Sequence, residues 1–178
     1  MTSVDEAYQR YFYLTDALGR LYRASISKPI SEENIRLGLT RTGDTLVQAK
    51  TKITQRLDTT QARLAELALI DMCSAFESEC LRRIPTAVGE AKRVLTEHYN
   101  VPVMSQITNQ LVRQAEDFGS LDALFKAVES RLRPEVGAQL RDLKNERNRI
   151  AHGTKSPPKN IQLEDARELL NAVLELIC

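Results

Sequence analysis

What the chain has little of narrows its class before any motif is read. Proline and glycine together supply 13 of 178 residues, too few for a disordered or loop-dominated protein. Cysteine occurs three times, at Cys73, Cys80 and Cys178. No C-x-x-C pair and no histidine at zinc-ligand spacing accompanies them, so neither a disulfide framework nor a metal site is indicated, and no cofactor is implied. They read as ordinary buried thiols. No apolar run reaches the roughly 18 to 20 residues that a membrane span needs, and the start "MTSVDEAYQRYFYL" lacks the basic beginning and apolar middle of a secretory signal. A cytoplasmic protein without membrane partners is the expectation. The net charge is only +1, which excludes a global electrostatic attraction for nucleic acid and leaves room only for a local site. Internal repeats and low-complexity tracts are absent, and so is sustained period-two alternation or clustering of β-branched residues.

What remains is helical periodicity. Residues 4 to 26 carry Tyr8, Tyr11, Phe12, Leu18, Leu21 and Tyr22 at spacings of three and four, an amphipathic helix in need of a partner. Ser31 with Glu32 and Glu33 marks a helix start after Pro29, giving a short segment to Gly38, and a further helix is expected from Thr45 to Leu57. Asp58, Thr59 and Thr60 are candidate N-caps for a long helix to Ile84, ended by Pro85; its apolar residues cover a wide arc, as in the centre of a bundle. Further helices are expected over residues 86 to 99, 104 to 117 and 120 to 132. Pro134 then opens a helix that ends in "NERNRIAHG", and the last helix bears Ala166, Leu169, Leu170, Val173, Leu174 and Ile177. The expected fold is all-α: a helical bundle over residues 58 to 178 with an N-terminal helical extension over residues 1 to 57.

The motif helix is where chemistry enters. Val136, Leu140 and Leu143 step by four and three, and the next steps fall on Arg147 and Ile150. A charge on an apolar stripe is costly unless it is paired, reaches water, or meets an anion at an interface. His152 lies five residues on, about 140° around an ideal helix from Arg147, so the two do not share a face. Asn148, four before His152, does share its face and is placed to hydrogen-bond one ring nitrogen, leaving the other for chemistry. Gly153 is a natural helix stop. Each residue also has a plain reading: a histidine in a last turn is favoured by the helix dipole, and Arg147 could close a structural ion pair. Glu77 interrupts the stripe of the central helix and is a candidate to hold Arg147; a plain buried ion pair or a place at the bundle's wet edge is its favoured reading. Asp71 is a weaker candidate of the same kind, and His98 reads as a surface residue near a helix end.

"ERNRIAHG" at the end of an amphipathic helix, followed by a loop and a last amphipathic helix, resembles the HEPN superfamily, whose signature is Arg, four to six residues, then His, with a polar residue beside the Arg. The likeness is to the RiboL-PSP-HEPN and related defence-associated nucleases and covers residues 58 to 178. It implies a metal-independent endoribonuclease acting as a homodimer, in which two motif helices meet at a twofold axis and form one composite cleft. Arg147 and His152 would be the catalytic pair and Asn148 the polar neighbour, with Arg149 either contacting the RNA backbone or solvated. The resemblance also implies a toxin or antiviral role with RNA as substrate and an antitoxin or defence-system protein as partner. Some HEPN toxins carry a modified Tyr two residues after the His; Thr154 stands there in this chain, which puts that mode of regulation in doubt. The competing expectations are a HEPN-like module that binds RNA, nucleotide or a protein without cutting, and a purely structural helical protein.

Overall fold

A computed structural model describes residues 1–98, 126, 132–153 and 159–177. Among these residues the regular structure is entirely helical, with α1 spanning Ser3–Ser27, α2 Glu32–Arg36, α3 Leu46–His98, α4 Pro134–His152 and α5 Leu163–Ile177. The expected helices over 104 to 117 and 120 to 132 lie outside the described residues, apart from Lys126, which is helical, and Leu132, at a bend.

The helix starts follow from local chemistry. Thr2 caps α1 in a reciprocal box, its hydroxyl accepting from the Asp5 N–H at 3.1 Å while the Asp5 carboxylate accepts from the Thr2 N–H at 3.0 Å. The Ser31 hydroxyl caps α2 by accepting from the Asn34 N–H. Pro134 sits in the first turn of α4, where no N–H is needed.

In α3 the expected boundaries do not occur. The helix runs for 53 residues, about 80 Å at 1.5 Å per residue, straight through the "LDTTQ" stretch and through Pro85. Thr59 and Thr60 do not cap: their hydroxyls donate to the carbonyls of Gln55 and Arg56 at 2.8 and 2.7 Å, a bond each makes within a continuing helix. Thr51 and Thr54 do the same to Val47 and Lys50. Pro85 withholds a donor from the carbonyl of Leu81. The helix nonetheless continues to His98, losing that one bond.

α3 is the spine. α1 lies antiparallel along it, with Ser3 Oγ donating to the Ala75 carbonyl, Arg10 paired with Asp71, and the Tyr22 hydroxyl 3.2 Å from Thr54 Oγ1. α5 runs antiparallel to α1, through Thr2 and Asp5 to Asn171 and through Arg167, which stacks 5.0 Å from the centre of the Tyr8 ring. The core is a single cluster drawn from all four long helices: Val4 and Ala7 of α1; Leu69, Met72, Cys73, Phe76 and Cys80 of α3; Leu140 and Leu143 of α4; and Ala166, Leu170, Val173 and Leu174 of α5. The chain passes residues 57 and 58 inside α3 without interruption. Of the apolar face expected on α1, Phe12 and Leu21 remain exposed, at 63% and 46%, and the first turns bury instead. Cys73 and Cys80 are buried, in agreement with their expected role.

Beyond the core, the second half of α1, the α2 turn and the first turns of α3 pack as an arm. Its knot is Asn34, whose side-chain amide donates to the carbonyls of Ser25, Lys28 and Pro29, while its backbone carbonyl accepts from the N–H of Leu39 and Thr40. Among the described residues, no helix is long and apolar enough to cross a membrane.

Candidate functional site

α4 buries Gly137, Leu140, Leu143 and Glu146, so its innermost line advances by threes and reaches Glu146 where a line of three and four reaches Arg147. Arg147 is therefore only half-buried, and the charge that occupies the fully buried position is an acid.

Glu146 is 5% exposed, and both of its oxygens are used. Oε1 accepts from Arg149 Nε at 2.9 Å and Nη2 at 2.7 Å, and Oε2 accepts the backbone N–H of Lys159 at 3.0 Å. Burial pushes this carboxyl upward, but the Arg149 and Lys159 bonds outweigh it and hold the group below the usual glutamate range. Glu146 thereby ties the end of α4 to the approach to α5. Sequence reasoning missed it; the visible signal was its three-residue spacing to Arg149, which places the two on one face.

Arg149 is correspondingly committed. Besides Glu146 it reaches Glu66 on α3 at 3.3 Å, and its side chain is 17% exposed. The structure places it in an internal ion-pair cluster rather than on a solvated surface.

Arg147 has the opposite environment. Its Nη1 donates to Asn148 Oδ1 at 3.0 Å, its Nε is buried with no hydrogen-bond partner, and no carboxylate lies within ion-pair distance among the described residues. Its charge is felt at Cys73 on α3, as is that of Glu77. Burial dominates there and pushes the Cys73 thiol up to about 12, with Arg147 opposing the rise and Glu77 adding to it, so this thiol is unreactive at neutral pH. Arg147, Glu77 and Cys73 thus share one neighbourhood where α3 meets α4, yet no hydrogen bond or ion pair joins Glu77 to Arg147.

His152 stands exposed on the last turn of α4. Gly153 closes the helix in the left-handed region, φ 62° and ψ 31°, its N–H returning to the Arg149 carbonyl; a side chain there would be strained. Within one subunit the structure brings Arg147 and Asn148 together but joins neither to His152. The expected Asn148 bond to the imidazole is replaced by the Arg147–Asn148 bond. Asp71 pairs with Arg10 at 2.7 Å on the outer α1–α3 surface, away from this cluster. His98 ends α3, with its side chain outside the described residues, as is Thr154. Among the described residues no three His, Cys, Asp or Glu side chains gather as they would around a metal ion.

A half-buried guanidinium with no counter-ion among the described residues is thus followed one to two turns later by an exposed imidazole. Comparison of the chain with known protein families, curated proteins and solved structures finds no match.

Proposed function

We propose that the end of α4 is half of a metal-independent endoribonuclease site, completed by the same helix of a second copy across a twofold axis. The observation that carries this reading is the contrast between two neighbouring arginines. Arg149 has two carboxylates, whereas Arg147, half-buried, has none among the described residues and an Nε that finds no partner there. A guanidinium so placed is stabilised when an anion arrives, and an RNA phosphodiester matches its fork of donors. His152, exposed nearby, supplies the proton chemistry.

In this mechanism the ribose 2′-oxygen loses its proton to one His152 and attacks the adjacent phosphorus in line. Arg147 holds the non-bridging oxygens as negative charge builds on them. The P–O5′ bond breaks, and the 5′-oxygen takes a proton from the second His152. The products are a 2′,3′-cyclic phosphate and a 5′-hydroxyl, and no cofactor is consumed. The twofold arrangement accounts for the lack of contact between Arg147 and His152 within one subunit, because the composite cleft pairs them between subunits. The likeness of "ERNRIAHG" to HEPN nucleases supports this reading and extends it to a cytoplasmic toxin or antiviral effector with a defence-system partner.

Purified protein incubated with total RNA and tRNA in EDTA should cleave. His152→Ala and Arg147→Ala should each lower the rate by at least ~100-fold, the scale of one lost acid–base group or transition-state ligand. No cleavage by the wild type, or equal cleavage by His152→Ala, rejects the enzyme.

One observation favours a second reading, a HEPN-like module that binds RNA or nucleotide without cutting it. Asn148 Oδ1 is engaged by Arg147, so within one subunit no Asn148 bond fixes the imidazole tautomer. No cleavage by the wild type, with RNA binding that is lost in Arg147→Ala but kept in His152→Ala, identifies the module.

A further inference from the structure

The arm carries a cleft that the reading of α4 does not use. It encloses about 320 Å³ between the α2–α3 turn and the first turns of α3, and its walls include Thr40, Arg41, Lys52 and Arg56. Three of these are cations, and one acid answers them. Lys52 Nζ donates to Asp44 Oδ1 at 2.5 Å, and Asp44 Oδ2 accepts the Arg41 backbone N–H at 2.8 Å. Those bonds hold Asp44 well below the usual carboxylate range, so it is ionised and offsets one cation. Neither the Arg41 nor the Arg56 guanidinium lies within ion-pair distance of a carboxylate among the described residues.

Two further features mark a site rather than a charged surface. Thr40 lines the cleft and is 3% exposed, and its buried Oγ1 has no hydrogen-bond partner among the described residues; a buried hydroxyl left unpaired is destabilising until a partner satisfies it. Gly38, at φ 67°, keeps the turn free of a side chain where Arg56 Nη1 approaches, 3.9 Å from the position a Cβ would take. Directly beside this cleft lies a second one of about 230 Å³, lined by Leu18, Tyr22 and Leu57 and sharing Leu39 and Arg56 with the first. The Tyr22 ring is fixed there by its hydroxyl bond to Thr54. A basic compartment and an apolar aromatic one thus meet at Arg56.

We infer that these two compartments together bind a nucleotide, its phosphate between Arg41, Arg56 and Thr40 and its base against Tyr22 and Leu57. Two arginines and a hydroxyl suit the three terminal oxygens of a phosphate monoester, and the apolar compartment adds a surface for a base that a bare anion cannot use. The combined space falls within the range of small-molecule sites. This inference is independent of the chemistry proposed for α4.

The test is calorimetry on the full chain with inorganic phosphate, adenosine and the four ribonucleoside 5′-monophosphates. At least one monophosphate should bind ~10-fold or more tightly than phosphate, and adenosine should bind more weakly than its monophosphate. Arg56→Glu, at an exposed position that leaves the helix intact, should abolish binding, and Tyr22→Ala should reduce the nucleotide's affinity to that of phosphate. Thr40→Val should weaken the nucleotide while leaving the melting temperature of the free protein unchanged or higher, because it removes an unpaired buried hydroxyl; a structural threonine would give the reverse. Arg147→Ala should leave binding unaltered, which separates this site from that of α4. Phosphate binding as tightly as every nucleotide, binding that survives Arg56→Glu, or no binding at millimolar concentration overturns the inference.

Discussion

Glu146 and Arg147 are adjacent and oppositely charged, yet among the described residues the fold gives one two partners and the other no counter-ion. The cause is the helical step of about 100° per residue, which turns Glu146 inward beside Arg149 and Lys159 and leaves Arg147 at the margin of α3 near Cys73. A buried acid with all its bonds made should be costly to alter. Glu146→Gln keeps the shape but presents an amide where the Lys159 N–H needs an acceptor, and it should lose about 1–3 kcal/mol at neutral pH. The pH dependence follows from the lowered pKa of Glu146 in the folded protein. Its contribution is complete above the unfolded value of about 4.3 and is lost as pH falls through the folded value. Urea titrations at neutral pH and on the acid side of that value should therefore show the gap between wild type and Glu146→Gln narrowing in acid. A gap that does not change with pH would mean that the carboxylate charge contributes nothing. At this scale the sequence revealed Arg147 as an oddity on the stripe, but not that Glu146 takes the inner place, because a three-residue step and a four-residue step are equally helical until packing chooses between them.

At the scale of elements, the short helices were legible and the long one was not. Thr2, Ser31, Pro134 and Gly153 act through bonds or dihedral limits that span three or four residues, so the chain itself sets those boundaries. The ends expected inside α3 depended on context. Threonine hydroxyls that can cap a helix can also bond back within one, and α1 lying alongside supports the continuous form. Pro85 gives this account a test. Because it lies within a helix and removes one of its bonds, Pro85→Ala should restore the donor to the Leu81 carbonyl and stabilise the protein by about 1–3 kcal/mol, read as a raised denaturation midpoint. An unchanged or lowered midpoint would contradict a helix that continues through residue 85. The helices expected over 104 to 117 and 120 to 132 fall outside the described residues, apart from Lys126 and Leu132.

At the scale of the whole molecule, one core joins α1, α3, α4 and α5, and the arm extends from it along α1 and α3. Within a single subunit His152 is exposed and hydrogen-bonded to neither Arg147 nor Asn148, so the proposed ribonuclease needs a second copy. That requirement has a concentration dependence. On serial dilution, cleavage per subunit should fall in step with the conversion of dimer to monomer, followed by light scattering after size exclusion. A rate per subunit that stays constant while the mass falls to that of a monomer would remove the composite cleft, whatever becomes of the motif.

The sequence by itself determined the all-helical class, the limits of α1, α2 and α4, the amphipathic pattern of α5, the burial of Cys73 and Cys80, and the collection of charge at the end of α4. These rest on periodicity and on caps, which act over one or two turns. Only the tertiary structure decided that α3 runs unbroken, that Val4 and Ala7 enter the central core, that Arg149 is bound to Glu66 and Glu146 while Arg147 has no counter-ion among the described residues, and that Thr40, Arg41 and Arg56 surround one cleft. Each of those is set by which helices lie side by side, and residues 83 positions apart, such as Glu66 and Arg149, become neighbours only when the core has closed.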